Sequence, residues 1–445
     1  MNRKIRDILF YIFIVIFLIL TFLVSLYAAG YKLTLSWPLK LSNLLLKTST
    51  LEISTSPKGA SIFLEKEQKT FLVSQDKYLG ENTSPAKINQ LLPGTYNLRL
   101  ELEGYWPWEN KIRLDSGKAL YINNLILFKK TLPLVLYSSL VQEITLSSDN
   151  NYLLLPFSKK IINLKQNIAI NLPEDNIDTW RFSADNQNFI TNKYIFNLNT
   201  KELIFFKQNE NKPLSNLKCT ADRRLSFYQV DNDIFELNLE TQTENKLISL
   251  NSCQDYLIQD NYIYTLESYE QKSYLKKYSS KGEFLNSLEL PYNLNYEFLN
   301  LDNQYINIVQ KDYQQLYIID LNSQYKPIKA SLNNFKIGTW QKNNELIYAN
   351  DYEIYSYNLN FDTFKLITRT GEKIKHLMWH PDRDYIAYAT KDSFYIINWQ
   401  SQGYTTTKIL SLQEIKSPKL DIKNNQIYFS GRIGQQSGVY KLSVQ

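Results

Sequence analysis

LMWHPDRDYIAYA, residues 377–389, sets the reading of the whole chain. An apolar strand runs into a Pro-Asp turn, and a second apolar strand leaves it. The same pattern recurs in ITLSSDNNYLLL (144–155), TWRFSADNQNFIT (179–191), LKCTADRRLSFYQ (217–229), YLIQDNYIYTL (256–266), FLNLDNQYINIV (298–309), TWQKNNELIYA (339–349) and LDIKNNQIYFS (420–430). Its turn anchors are Asp149, Asp185, Asp222, Asp260, Asp302, Asn343, Asp382 and Asn424, spaced 36 to 42 residues apart. Four-stranded propeller blades repeat at about 40–45 residues. The second halves, such as LYIIDLNSQYKPI (316–328), add a further strand, turn and strand. The pattern predicts a β-propeller over 131–445, with eight blades and seven as the alternative count. After Pro418 there is room for only three strands. TLPLVLYSSL (131–140) supplies a fourth, and pairing the two ends leaves no open edge.

Upstream lies a second β-rich region, 50–130. In TLEISTSPKGASIFLEKE, Leu51 and Ile53, then Ile62 and Leu64, mark two strands joined by SPKG. Leu98, Leu100 and Leu102 are in phase in NLRLELEGY, after the turn signal Pro93-Gly94. KIRLDSG and ALYINNLILF add two more strands. A small sandwich of about six strands accounts for these.

Both regions carry resemblances. Ser56-Pro57-Lys58-Gly59-Ala60, Ser84-Pro85, Leu92-Pro93-Gly94-Thr95-Tyr96 and Gly104-Tyr105 follow the order of motifs in the PEGA domain, and the region resembles that family. EKEQKTFLVSQDKY lengthens the stretch between the first two motifs. The resemblance implies a small non-catalytic sandwich beside a membrane anchor in a surface protein. Trp379, Pro381, Asp382, Ile386, Ala387 and Tyr388 resemble the W-S-P-D-G-x-x-I-A-Y/F blade signature of TolB-type and WD-repeat-like propellers. His380 stands where that signature has serine, and Arg383 where it has glycine.

The N-terminal part reads as a membrane segment. Residues 8–29, ILFYIFIVIFLILTFLVSLYAA, carry no charge. As a helix they reach about 33 Å, against a hydrocarbon core of about 30 Å. Arg3, Lys4 and Arg6 before the stretch favour a cytoplasmic N-terminus, although Lys32, Lys40 and Lys47 weaken the contrast. A cleaved secretory leader is the other reading. Residues 1–30 are thus expected as tip and anchor, and 31–49 as a juxtamembrane linker. Trp37 in that linker, and Trp106 and Trp108 in YWPWE, are the candidate partner or membrane contacts. For the YWPWE pair, burial of one ring in the sandwich is the alternative.

Charge and chemistry narrow the function. Residues 1–130 hold 17 Lys/Arg against 10 Asp/Glu, and the rest 33 against 34. The excess flanks the apolar stretch instead of striping a folded domain, which argues against nucleic acid. Two histidines and two cysteines leave little for metal or His-dependent catalysis. His376 and His380 have no third ligand or H-E-x-x-H context. Cys219 and Cys253 form no C-x-x-C pair, and stand either as an inter-blade disulfide or as core thiols. No G-x-S-x-G or phosphate loop occurs. The expectation is a membrane-anchored binding or scaffold protein without cofactor, metal or catalytic residues. Its propeller, outside the cell, presents a surface to a cell-envelope protein or polymer. The alternative is a propeller enzyme acting on envelope glycans or peptides through carboxylate and tyrosine groups at the channel mouth.

Overall fold

The computed structural model describes residues 3–33, 45–67, 82–139, 141–173, 180–183, 185–191, 193–205, 215–219, 225–238, 241, 243–299, 301, 304–323, 325–340, 344–382, 385–400 and 403–445. The chain opens with the helix Arg3–Ala28. Its segment Phe10–Ala28 is long and apolar enough to cross a bilayer, and its Phe, Ile and Leu side chains stand exposed. Beyond it, Tyr31–Leu33 pairs antiparallel with Leu45–Lys47.

A two-sheet sandwich follows. Ser49–Ser56, Ala86–Leu91 and Ala119–Ile126 form one sheet, and Asn82–Thr83, Ser61–Lys66, Gly94–Glu101 and Trp108–Leu114 the other. The alternation in Ser49–Ser56 buries Leu51 and Ile53 against Ile62, Leu64, Leu98 and Leu100. The SPKG turn joins strands of opposite sheets, so it makes a corner and not a hairpin. Ser49–Ser56 also runs parallel to Ala119–Ile126, a pairing that no local pattern announces. The two Ser-Pro motifs meet: Gly59 N donates to Ser84 O at 2.8 Å, and Thr55 and Ser84 hydroxyls touch. In LLPGTY the Tyr96 hydroxyl donates back to Leu92 O at 2.7 Å, closing the turn; burial pushes its phenol up to about 12. These contacts give Gly59 and Tyr96 of the motifs their places in the turns.

Eight four-stranded antiparallel sheets are found among the described residues of the remaining chain. We number them as blades 1–8: 145–171, 180–205, 215–249, 255–289, 296–332, 337–369, 376–411 and 414–443. Strands within a blade follow sequence order from the innermost outward. In blade 8 the outermost strand is Leu134–Tyr137, paired antiparallel with Gln436–Ser443, so both ends of the array meet as the sequence implied. One apolar cluster fills each seam between neighbours, and a last one joins blade 8 to blade 1 through Tyr428, Val439, Leu153 and Ile162. The ring therefore closes. The quoted blade-7 motif shows its logic: Ile386 and Trp379 face blade 6, while Tyr385 and Ala387 face blade 8. Trp379 is only 8% exposed.

The turns explain the repeat. Asn150, Asn186, Asn261, Asn344 and Asn425 all have φ between 52° and 62°, a left-handed geometry that Asn tolerates. They follow or form the Asp/Asn anchors. Asp222, Asp302 and Asn343 lie outside the described residues. These turns also bridge blades: Asn186 Oδ1 accepts from Ser148 N at 3.1 Å, and His380 Nε2 donates to Asn425 Oδ1 at 2.8 Å. His380 thus supplies a donor where the related signature has serine.

Candidate functional site

Antiparallel order within each blade sorts its loops onto two faces. First-to-second and third-to-fourth strand turns share one face. Second-to-third turns and the connections between blades share the other. The sandwich sits on the first face, against blades 7 and 8. Trp108 Nε1 donates to Thr405 Oγ1 at 2.7 Å, Asn398 Nδ2 to Ile126 O at 3.3 Å, and Lys129 N to Val444 O at 2.9 Å. Phe128 packs edge-on against Tyr385.

This docking corrects the expectation for the tryptophan pair. Trp108 is 4% exposed and belongs to the sandwich core, and Trp106 packs half-buried into the cluster shared with blades 7 and 8. Lys130 Nζ lies 4.9 Å from the Trp106 ring centre. YWPWE is an internal brace and not an exposed tip, because the propeller covers the apolar surface these rings would otherwise show to water. Trp37 lies outside the described residues. The two histidines occupy opposite ends of the strand His376–His380, about 13 Å apart at 3.3 Å per residue, so they cannot share one ion. Cys253 is a free thiol, and burial pushes it up to about 12, which makes it an unreactive side chain. The side chain of Cys219 lies outside the described residues.

The second face is uncovered by the sandwich, and its described residues line two clefts. One, of about 600 Å³, opens where the innermost strands of blades 7 and 8 begin and the chain enters blade 1. Lys375, His376 and Lys391 come from blade 7, Lys416 and Lys419 from blade 8, and Glu143 and exposed Phe157 from blade 1. The local backbone explains the crowding. Ser417 has φ 45°, outside the ordinary strand range, and the register with the next strand shifts between Lys416 and Lys419. This bulge lets the Ser417 hydroxyl accept from Ile144 N and donate to Ile144 O, both at 3.1 Å. It stitches blade 8 to the start of blade 1 and sets Lys416 and Lys419 on the cleft wall.

Four ammonium groups face two carboxylates here. Glu414 pairs with Lys416 at 3.1 Å; among the described residues Lys375, Lys391 and Lys419 have no ion-pair partner. Burial, reinforced by Lys419 and Lys375, holds the His376 imidazole down at about 4. It is neutral at pH 7, an acceptor or donor among cations.

The second cleft, of about 540 Å³, is lined by Asn350, Asp351, Tyr352, Glu353 and Arg369. Its charges are balanced. Lys336 and Lys373 hold Asp351 down at about 2, and Arg369 Nη2 lies 2.6 Å from Glu353. Residues 369–376 run from this cleft to the lysine cleft. A third hollow, on the outer sheet of the sandwich, is ridged by paired charges, Arg99 with Glu109 and Lys111 with Glu67.

Sequence reasoning missed the lysine cleft. Its signal was lysine at the start of two consecutive innermost strands, KIK at 373–375 and KSPK at 416–419. Nothing local marks these lysines as neighbours.

Stacked radial four-stranded sheets closed into a ring define a β-propeller. Residues 48–126 match the PEGA domain family, so the sandwich is a PEGA domain. No curated protein sequence matches the chain. Among solved structures, dipeptidyl peptidase 4 of Porphyromonas gingivalis is 12% identical, over 66% of this chain and 57% of that one, with a TM-score of 0.49. A eukaryotic initiation factor is 11% identical over 84% and 89%, with a TM-score of 0.48. The dihydro-heme d1 dehydrogenase NirN is 12% identical over 65% and 68%, with a TM-score of 0.45. The propeller assignment rests on the sheet topology, not on these distant likenesses.

Proposed function

We propose that the protein is a membrane-tethered, non-catalytic binding protein of the cell exterior, with the PEGA domain as spacer and the propeller as platform. One observation carries this reading. The PEGA domain, which follows the apolar helix, docks on one propeller face and leaves the opposite, cleft-bearing face open. A platform held from behind presents its loops outward. The charged tip ahead of the helix favours a cytoplasmic N-terminus and an external propeller. The uncovered face displays the aromatic side chains Phe157, Tyr313 and Tyr352, the kind of surface that marks a contact site. Its partner is a cell-envelope protein or polymer.

Protease treatment of intact cells expressing the full chain tests the placement. The expected result is digestion of the propeller without lysis, while a fragment holding the helix stays with the membrane. Protection until lysis overturns the reading. Release into the medium of the chain without its helix shows cleavage and removes the tether.

A further inference from the structure

The lysine cleft has a chemistry that points to a ligand class, and the inference rests on the platform reading above. We propose that the open face binds an anionic polysaccharide, whose carboxylate or phosphate groups enter the cleft between Lys375, Lys391 and Lys419. Three features carry it. First, these ammonium groups come from two blades but converge on one concavity of about 600 Å³. Each lacks an ion-pair partner among the described residues, whereas the second cleft pairs Arg369 with Glu353 and Lys373 with Asp351. Like charges gathered in a concavity concentrate counter-anions. Second, the gathering has a structural cause, the Ser417 bulge, a left-handed geometry that a serine adopts at a cost. Third, the surroundings suit sugars more than an acidic peptide. Phe157 on the rim is 64% exposed, and the adjoining cleft offers an exposed Tyr352 ring beside Asn350 and Arg369. Flat rings pack against the CH faces of a pyranose. The loop 369–376 joins the two clefts, so one chain can place an acidic group in the first and a neutral residue in the second.

The test uses the full chain in nanodiscs of zwitterionic lipid, which add no charge of their own. Probes are polygalacturonate for carboxylate, dextran phosphate for phosphate, neutral dextran, and poly-glutamate. The expected result is binding of one or both anionic glycans and not of neutral dextran, weakening as salt rises. Lys375→Gln with Lys419→Gln should reduce that affinity at least 10-fold. Lys165→Gln on the opposite face should leave it unchanged. Both proteins should melt with the wild type at pH 7, since no ion pair among the described residues is lost with these lysines. Binding indifferent to the double substitution overturns the site. Poly-glutamate bound as tightly, with the same lysine dependence, overturns the glycan class in favour of an acidic protein segment. Absence of binding to every polyanion, by a chain already found protease-accessible outside the cell, overturns this inference while the platform reading stands.

Discussion

His376 shows what a single residue can report about its neighbourhood. Its ring is held at about 4, against about 6.5 in an unfolded chain. Between those values the unfolded chain takes up a proton that the folded one refuses. Stability contributed by the neutral ring is therefore present above pH 6.5 and lost as pH falls towards 4. Partial exposure of the ring limits the loss to about 1–2 kcal/mol. Thermal melts of wild type and His376→Gln across pH 4–7 check this: the wild type should lose more Tm than the variant below pH 6.5. Burial sets this value first, and Lys419 and Lys375 add to it; Lys391, Lys416, Glu143 and Glu414 line the same cleft. Equal acid sensitivity would mean that the ring is solvated and the cleft less crowded than described. At this scale the sequence was least informative. His376 stood out only as one of two histidines, and its meaning comes from burial and from Lys419, 43 positions away, as well as the adjacent Lys375.

At the scale of strands and turns, much was legible. Blade turns announced themselves because the left-handed positions select Asn, and because a turn between two buried strands leaves its polar residues between apolar runs. The meeting of strands 131–140 and 436–443 was also legible, since the last repeat lacked a strand. The parallel pairing in the PEGA domain was not, because register between distant strands is fixed by packing and leaves no periodic mark. Gly438 makes the closure testable. A Cβ there would come within 2.6 Å of Tyr137 O, the backbone of the partner strand. Gly438→Val should push Leu134–Tyr137 off its neighbour and expose the edge of blade 8. Hydrogen exchange should then rise at residues 134–137 and 436–443 while blades 3–5 stay protected. Unchanged protection at both strands would show that the closing pair tolerates a side chain, and that the seam with blade 1 alone holds the ring.

For the whole molecule, the contact between PEGA domain and propeller decides whether the two domains move as one. For Trp106 and Trp108 the sequence left an exposed tip and burial of one ring in the sandwich both open, because large aromatics beside a proline look alike in sequence whether water or another domain covers them. The indole bond to Thr405 is the accessible point of attack, since Thr405 lies in the propeller and its loss leaves the sandwich core untouched. Thr405→Val strands the Trp108 N–H, at a cost of about 1–3 kcal/mol. We expect faster hydrogen exchange in Trp108–Leu114, one domain away from the substitution. Exchange confined to blade 7 would show that the two domains unfold independently.

The closing strand of blade 8 bears on mechanics. Leu134–Tyr137 is the first piece of propeller after the PEGA domain, and it runs from the sandwich-facing side towards the open face. A ligand gripping the open face while the cell surface recedes would stretch the molecule along that strand's own axis. Its backbone bonds to Gln436–Ser443 would then be strained together, in shear, and not opened one after another from an end. A handle sheared in this way resists tugging far better than one that is peeled, so a load applied between the PEGA domain and the open face would meet the stronger of the two geometries.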